Sequence, residues 1–291
     1  MNALYDVPAP AKLNLFLHVV GRRDDGLHLL QSVFVLIDWS DTLHFERRGD
    51  GALVRHDLGA TLPPDDLCLR AARSLQSSSG CSWGADIRVD KQIPWGAGLG
   101  GGSSDAATTL LALNRLWRLD WPRDRLLALA VKLGADVPFF VQGDNAFVQG
   151  IGEHLTPLQL PRLWFAVIKP EAGLATAEIF GSPELERNTR PVILADFLAD
   201  TQLSDCAAAG FGRNDLQPVA QRRCAEVGKA ADWLRSRFGN SRMSGSGSAV
   251  FARAGTGDQP MATWSAQELP PRWVGRMCRS LAVHPLQGWA S

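Results

Sequence analysis

The chain has 291 residues, 45% of them hydrophobic and 21% charged, which is the balance of a folded globular protein large enough for two lobes around a cleft. Thirty basic and thirty acidic residues cancel to zero formal net charge, which argues against a nucleic-acid or acidic-membrane partner. No apolar run approaches the roughly 18 residues of a membrane span, and the first twenty residues carry Asp6, Pro8, Pro10, Lys12 and Asn14 without a basic start, so a secretory signal is not expected and a soluble cytoplasmic protein is.

In chain order, Leu13 to Val20 and Gln31 to Ile37 read as strands, with a further strand at Thr42 to Glu46 after an Asp-rich turn. "DDLCLRAARSLQ" predicts a helix with Leu67, Ala71, Ala72 and Leu75 on one face. The segment Asp86 to Lys91 alternates apolar and charged residues, the pattern of an antiparallel strand with one wet face. "IPWGAGLGGGSSDAATTLLAL" then runs from glycines into an amphipathic helix, and "DWPRDRLLALAVKLGADVPFF" gives a second helix that stops at Gly134. Strand-like pieces follow at Asn145 to Gln149 and Leu163 to Lys169. Beyond Pro170 come short apolar helices between Ala175 and Phe238, with "GSPELERNTRP" as an exposed connector. A second glycine turn, Ser244 to Ser248, leads into a strand at Ala249 to Ala252. The expected fold is α+β with two lobes, residues 1–170 and 171–291. Cys68, Cys81, Cys206, Cys224 and Cys278 form no CxxC pair, and their odd number suits thiols of a reducing compartment.

The glycine segment needs a reason, because each glycine loses conformational entropy when ordered. Gly96, Gly98, Gly100, Gly101 and Gly102 precede Ser103 and Ser104 at a helix mouth, where free N–H groups and the dipole suit a phosphate; the plainer alternative is a tight strand-to-helix turn. Ser103, Ser104 and Asp105 are the expected caps. No lysine follows the glycines, so a Walker loop is excluded. Gly96 to Gly101 formally fits GxGxxG, but the preceding strand is half wet and Asp120 lies just past the helix, so dinucleotide binding by an oxidoreductase is disfavoured. Period-two alternation puts Lys12, Asn14 and His18 on one strand face, either an exposed edge or a working surface. Asp136, beside "VPFF", is a helix cap or a working carboxylate, and His28 follows a turn where a surface imidazole is common.

Taken together, "PAKLNLFLHVVGRRDDGLHLLQSVF", "GAGLGGGSSDAATTLLALN", "LGADVPFF", "PELERNTRP", "NDLQPVAQRR" and "RMSGSGSAVFA" resemble the GHMP family of small-molecule kinases over almost the whole chain. The resemblance implies a ribosomal S5 domain-2-like N-terminal lobe, a ferredoxin-like C-terminal lobe, and ATP lying across the glycine loop. The GLGGGSSDAA form favours those members that phosphorylate the 2-hydroxyl of a cytidine-diphosphate-linked methylerythritol on the non-mevalonate route to isoprenoid precursors. The alternatives are another small alcohol as acceptor, or a binding protein of the same fold without catalysis. By motif, Asp136 matches the catalytic aspartate and Lys12 the catalytic lysine. Pro94, Trp95, Gly96, Ala97, Gly98, Leu99, Gly100, Gly101, Gly102, Ser103 and Ser104 would hold ATP, with Asp66 near the adenine. Asn14, His28, Thr176 and Phe180 would hold the substrate. Mg²⁺ is implied as ATP's companion, bound by phosphate oxygens and water, with no protein ligand cluster. Two positions depart from the family pattern: Leu27 stands where "DGYH" supplies a tyrosine, and Asp66 stands where an asparagine is usual.

Overall fold

A computed structural model describes residues 1–59, 61–202 and 211–291. Cys206 lies outside the described residues; Cys68, Cys81, Cys224 and Cys278 are free thiols. The first lobe begins with two long antiparallel strands, β1 (Ala3–Arg22) and β2 (His28–Arg48). It continues through β3 (Leu53–Asp57), α1 (Leu67–Ser79), β4 (Gly84–Asp90), α2 (Gly101–Leu116), α3 (Arg123–Leu133), α4 (Val137–Gln142), β5 (Ala146–Gly150) and β6 (His154–Pro157). β1 takes one edge of β2; β4 and β5 share the other, both antiparallel, as the alternation in β4 predicted. β3 runs parallel to its neighbour, β4.

The second lobe comprises β7 (Leu163–Lys169), α5 (Thr176–Phe180), α6 (Leu194–Gln202), α7 (Gln217–Arg223), α8 (Ala225–Phe238), β8 (Arg242–Met243), β9 (Val250–Thr256) and β10 (Val274–Arg279). Its four strands form an antiparallel sheet in the order β10-β7-β9-β8. Burial resolves four layers. α1 to α4 cover one face of the first sheet through Phe45, Leu110, Phe139 and their neighbours. Its other face packs on the second sheet through Leu13, Val35, Phe165 and Phe251. α7 and α8 cover the outer face of that sheet through Val219, Val227, Ala231 and Leu234. Among the described residues no helix is long and apolar enough to cross a membrane.

Three expectations change here. The Asp-rich turn at Asp38 to Asp41 lies inside β2, because the pairing jumps from Pro10–Ser40 to Ala11–Ile37 and the chain absorbs the extra residues as a bulge. α2 starts at Gly101 with Gly100 as its cap at φ +73°, so Ser103, Ser104 and Asp105 lie within the helix and do not cap it. The sheets do not divide at Pro170: β7 precedes it yet bonds in the second sheet, and the C-terminal tail returns to the first core. There Leu286 is buried, and the Arg123 N–H donates to the Ser291 carbonyl at 2.7 Å.

Candidate active site

The bulge decides which way β1 points. Val7 and Ala9 belong to the helix-side core, whereas Ala11, Leu13 and Leu15 belong to the core between the sheets. Side chains alternate along a strand, so Lys12 and Asn14 are turned toward α2 and α4. There they border a cleft of about 800 Å³ between the lobes. Lys12 Nζ donates to Asn14 Oδ1 at 2.6 Å and stands 4.5 Å from the centre of the Phe34 ring. Asn14 Nδ2 donates to Ser32 Oγ at 2.9 Å, and that hydroxyl donates to the Phe16 carbonyl at 2.5 Å, which fixes the amide's orientation. His18 does not keep that face, contrary to the alternation: the register shifts again between Asn14 and Leu17, so Leu17 reaches the cleft and His18 packs on the Phe16 ring at 4.8 Å, its Nε2 accepting from the Arg213 N–H at 3.3 Å.

Asp136 occupies the N-cap position of α4 but makes no side-chain capping bond. Its Oδ2 instead lies 3.5 Å from Lys12 Nζ; the lysine is 4% exposed and the carboxylate 32%. A buried cation therefore meets a carboxylate that still reaches the cleft.

The glycine loop forms the adjoining wall through Gly96, Gly98, Gly100 and Ser103. Its glycines serve close approach as well as left-handed backbone. At Gly98, with φ +76°, an added Cβ would lie 2.2 Å from the Ser244 carbonyl oxygen. At Gly100 it would lie 3.0 Å from the Phe140 ring and 3.1 Å from Lys12 Cγ. The turn Ser244 to Ser248 docks directly on this loop. Ser244 Oγ donates to the Gly98 carbonyl at 2.9 Å, and the Ala249 N–H donates to that of Ala97 at 2.9 Å.

Behind the loop, Lys91 Nζ donates to Asp105 Oδ2 at 2.6 Å and also contacts Asp41 Oδ2. Asp41 Oδ1 accepts from the N–H groups of Gln92 and Ile93 at 2.6 and 2.7 Å. Burial, with the Asp41 charge adding, pushes the Asp105 carboxyl up to about 8, and the Lys91 ammonium opposes that rise.

At the far end of the cleft the His28 and Phe180 rings stand 5.1 Å apart, tilted by 39°. Burial, then the Arg187 and Arg22 charges, lowers the His28 pKa. Thr176 Oγ1 meets Ser246 Oγ at 2.8 Å, joining α5 to the second glycine turn. Leu27, exposed over nearly half its surface, lines the same end.

Of the residues expected from sequence, Lys12, Asn14, His28, Gly96, Gly98, Gly100, Ser103, Asp136, Thr176 and Phe180 converge on this cleft. Pro94, Trp95, Ala97, Leu99, Gly101, Gly102, Ser104 and Asp66 do not line it. Ala97 and Leu99 are buried and act through backbone carbonyls, that of Leu99 accepting from the Lys12 N–H at 2.9 Å. Pro94 is a half-buried part of the loop, Gly101 and Gly102 are half-buried in the first turn of α2, and Trp95 stands 74% exposed. Ser104 is buried, its hydroxyl without a partner in the structure. Asp66 caps α1, accepting from the Leu69 N–H at 3.1 Å, and pairs with Arg55 at 2.8 Å. Sequence reasoning missed Ser32, Phe34, Ser244 and Arg187. The first two face Lys12 and Asn14 across strands whose pairing is invisible locally, and Ser244 lay in a glycine turn with no assigned role.

A glycine loop at a helix mouth, a buried lysine and a facing carboxylate define a phosphotransferase cleft. Two family models match the chain, "GHMP kinases N terminal domain" over residues 66–144 and "GHMP kinases C terminal" over 200–260. The chain belongs to the GHMP kinase family. Within it, the chain is 66% identical over its whole length to a 4-diphosphocytidyl-2-C-methyl-D-erythritol kinase of Methylibium petroleiphilum, covering 99% of that protein. It is 55% identical to the enzyme of that name from Variovorax paradoxus, with full coverage of both chains. A crystal structure of a 4-(cytidine 5'-diphospho)-2C-methyl-D-erythritol kinase superimposes with TM-score 0.73 at 36% identity, covering 85% of this chain and 89% of that one.

Proposed function

We propose that this protein phosphorylates the 2-hydroxyl of 4-diphosphocytidyl-2-C-methyl-D-erythritol with ATP, in the cytoplasm. The observation that carries the mechanism is the Lys12–Asp136 pair, 3.5 Å apart at the mouth of the glycine loop. Phosphoryl transfer to an alcohol needs an aligned oxygen, a place for its proton and neutralisation of spreading negative charge. Asp136 accepts the hydroxyl proton, because its carboxylate reaches the cleft and is not spent on a helix cap. Lys12, held by Asn14 and the Phe34 face, keeps the substrate oxygen in line and stabilises the charge developing on it. The loop N–H groups and the positive end of α2 receive the triphosphate, and the adenine lies beyond the loop on the α1 side. Pro94, Trp95, Gly101, Gly102 and Ser104 contribute by shaping that loop. Asn14 also orients the methylerythritol end, Thr176 adds a hydroxyl contact, and His28 and Phe180 hold the cytosine.

Mg²⁺ fits this donor set in one way. Among the described residues no group of three or more His, Cys, Asp and Glu could hold a metal, so the ion would keep phosphate and water ligands beside Asp136 and Ser103. Bound there, it would neutralise phosphate charge.

The test is ADP release by the purified protein with ATP and Mg²⁺, with and without the cytidyl substrate. Release dependent on that substrate is expected. Release with methylerythritol phosphate or homoserine in its place, and none with the cytidyl compound, would assign a different acceptor alcohol.

A further inference from the structure

Arg187 lies in "PELERNTRP", a stretch without regular secondary structure after α5. Its Nη2 donates to the carbonyls of Phe180 and Ser182 at 3.1 and 2.6 Å, and its Nη1 to that of Leu185 at 3.1 Å. The remaining nitrogen, Nε, donates to His28 Nε2 at 3.1 Å. A guanidinium only donates and does not lose its proton in proteins. The imidazole nitrogen that accepts from it must therefore carry a lone pair, which makes His28 a neutral ring with its proton on Nδ1. An unconstrained histidine ring prefers the opposite tautomer, with the proton on Nε2.

We propose that Arg187 is a positioning residue for base recognition, holding His28 as the Nδ1–H tautomer and thereby leaving it a single side-chain donor toward the pyrimidine. Cytosine presents a lone pair at N3 and uracil a hydrogen, so a fixed donor accepts the first base and rejects the second. The inference rests on the reading that the cytosine lies between His28 and Phe180. The geometry supports a joint role, because one side chain holds the Phe180 carbonyl and the His28 ring and so ties both walls of the base site. The charged groups facing the ring are Arg187 on this connector and Arg22 at the end of β1, both cations that favour the neutral form.

The experiment is NMR of the histidine ring nitrogens in the full-length protein, with His28 assigned by its loss in His28→Gln. In the unaltered protein the proton is expected on Nδ1; a proton on Nε2 overturns the proposal without need of any variant. In Arg187→Met the ring should shift toward Nε2–H and titrate at higher pH. KM for the cytidyl substrate should then rise about fivefold to tenfold, from loss of one well-placed hydrogen bond. Discrimination against the uridine analogue should fall by a similar factor, while KM for ATP changes little. Arg187→Lys, which keeps the charge but lacks the planar fork, should reproduce the tautomer shift in a more conservative background. An unchanged tautomer and unchanged discrimination in these variants would refute the role. If the tautomer shifts but neither His28→Gln nor Arg187→Met alters KM for the cytidyl substrate, the placement of the cytosine is wrong and the proposed control of the ring by Arg187 stands.

Discussion

Asp136→Asn keeps the side chain's shape and removes its charge and its capacity to take a proton. The neighbourhood limits the structural cost. Lys12 Nζ loses a carboxylate at 3.5 Å but keeps Asn14 Oδ1 at 2.6 Å and the Phe34 ring at 4.5 Å. The carboxylate is 32% exposed, so solvent screens the pair and its loss costs about 0–1 kcal/mol. No helix cap is lost, because Asp136 makes no capping bond. The melting temperature should therefore fall by about 2–4 °C at most. The chemical cost is larger: a positioned base is worth roughly 10²–10⁴ in rate, or about 3–5 kcal/mol of barrier. The assay is ADP release at saturating ATP and cytidyl substrate, run beside calorimetric melting and KM for ATP. The expected result is a kcat at least about a hundredfold lower, with melting and ATP affinity close to the parent's. A kcat within about tenfold of the parent's would mean that the proton leaves by another route. A collapse of the melting temperature in step with activity would make Asp136 a structural residue.

Gly98→Ala places a Cβ 2.2 Å from the Ser244 carbonyl at φ +76°, where no side chain can swing aside. It should cost about 1–3 kcal/mol from the backbone conformation alone and weaken ATP binding by parting the two glycine turns; unchanged stability and KM for ATP would refute the docking. Leu27→Tyr should restore an aromatic face to the cytosine end and lower KM for the cytidyl substrate roughly twofold to tenfold, whereas a rise would show that another group already fills that wall. His284 is pushed down to about 4 by burial, with the Arg123 charge adding, so it stays neutral in the fold while the unfolded chain takes up a proton below pH 6.5. The unfolded state then binds more protons as pH falls from 6.5 toward 4, and stability should drop by up to about 3 kcal/mol across that window. His284→Asn keeps an acceptor for the Leu286 N–H, now 3.1 Å from Nδ1, and should flatten that slope in urea titrations at several pH values; an unaltered slope would place the dependence elsewhere.

The legible parts of this molecule carry periodic or compositional signals within one segment. α1, α2 and α3 showed as apolar stripes, and the glycine loop as a helix mouth with too many glycines for an idle turn. Alternation put Lys12 and Asn14 on one face, but a strand buried on both sides gives no local cue to which layer that face meets. The bulge between Pro10 and Ala11 settles it, and its mate in β2 imitates a turn because Asp, Ser and Asp are turn formers. Asp41 is instead satisfied by Lys91 and by the Gln92 and Ile93 N–H groups, partners about fifty residues away. Capping preference pointed to Ser103, but the chain enters α2 through a left-handed residue, and that conformation selects Gly100. Arg187 was hidden for a similar reason: its partners are three carbonyls and a histidine 159 residues earlier.

Net charge was the least informative signal, although it was the simplest. The chain sums to zero, yet the cleft gathers Lys12, Arg22 and Arg187 against Asp136, a local excess suited to anionic phosphates. That excess is built by both lobes: Lys12 and Arg22 lie on β1, Arg187 on the connector after α5. The proposed phosphate cradle is divided in the same way, because the Gly98 carbonyl is held by Ser244 Oγ from the turn before β9. The glycine loop alone, however typical its sequence, thus presents only half of the proposed binding surface. Its conformation depends on a second glycine turn almost 150 residues later, close enough that neither turn tolerates a Cβ where they touch. A ligand seated there contacts both lobes, so its binding energy favours their docked arrangement as well as the loop's own order.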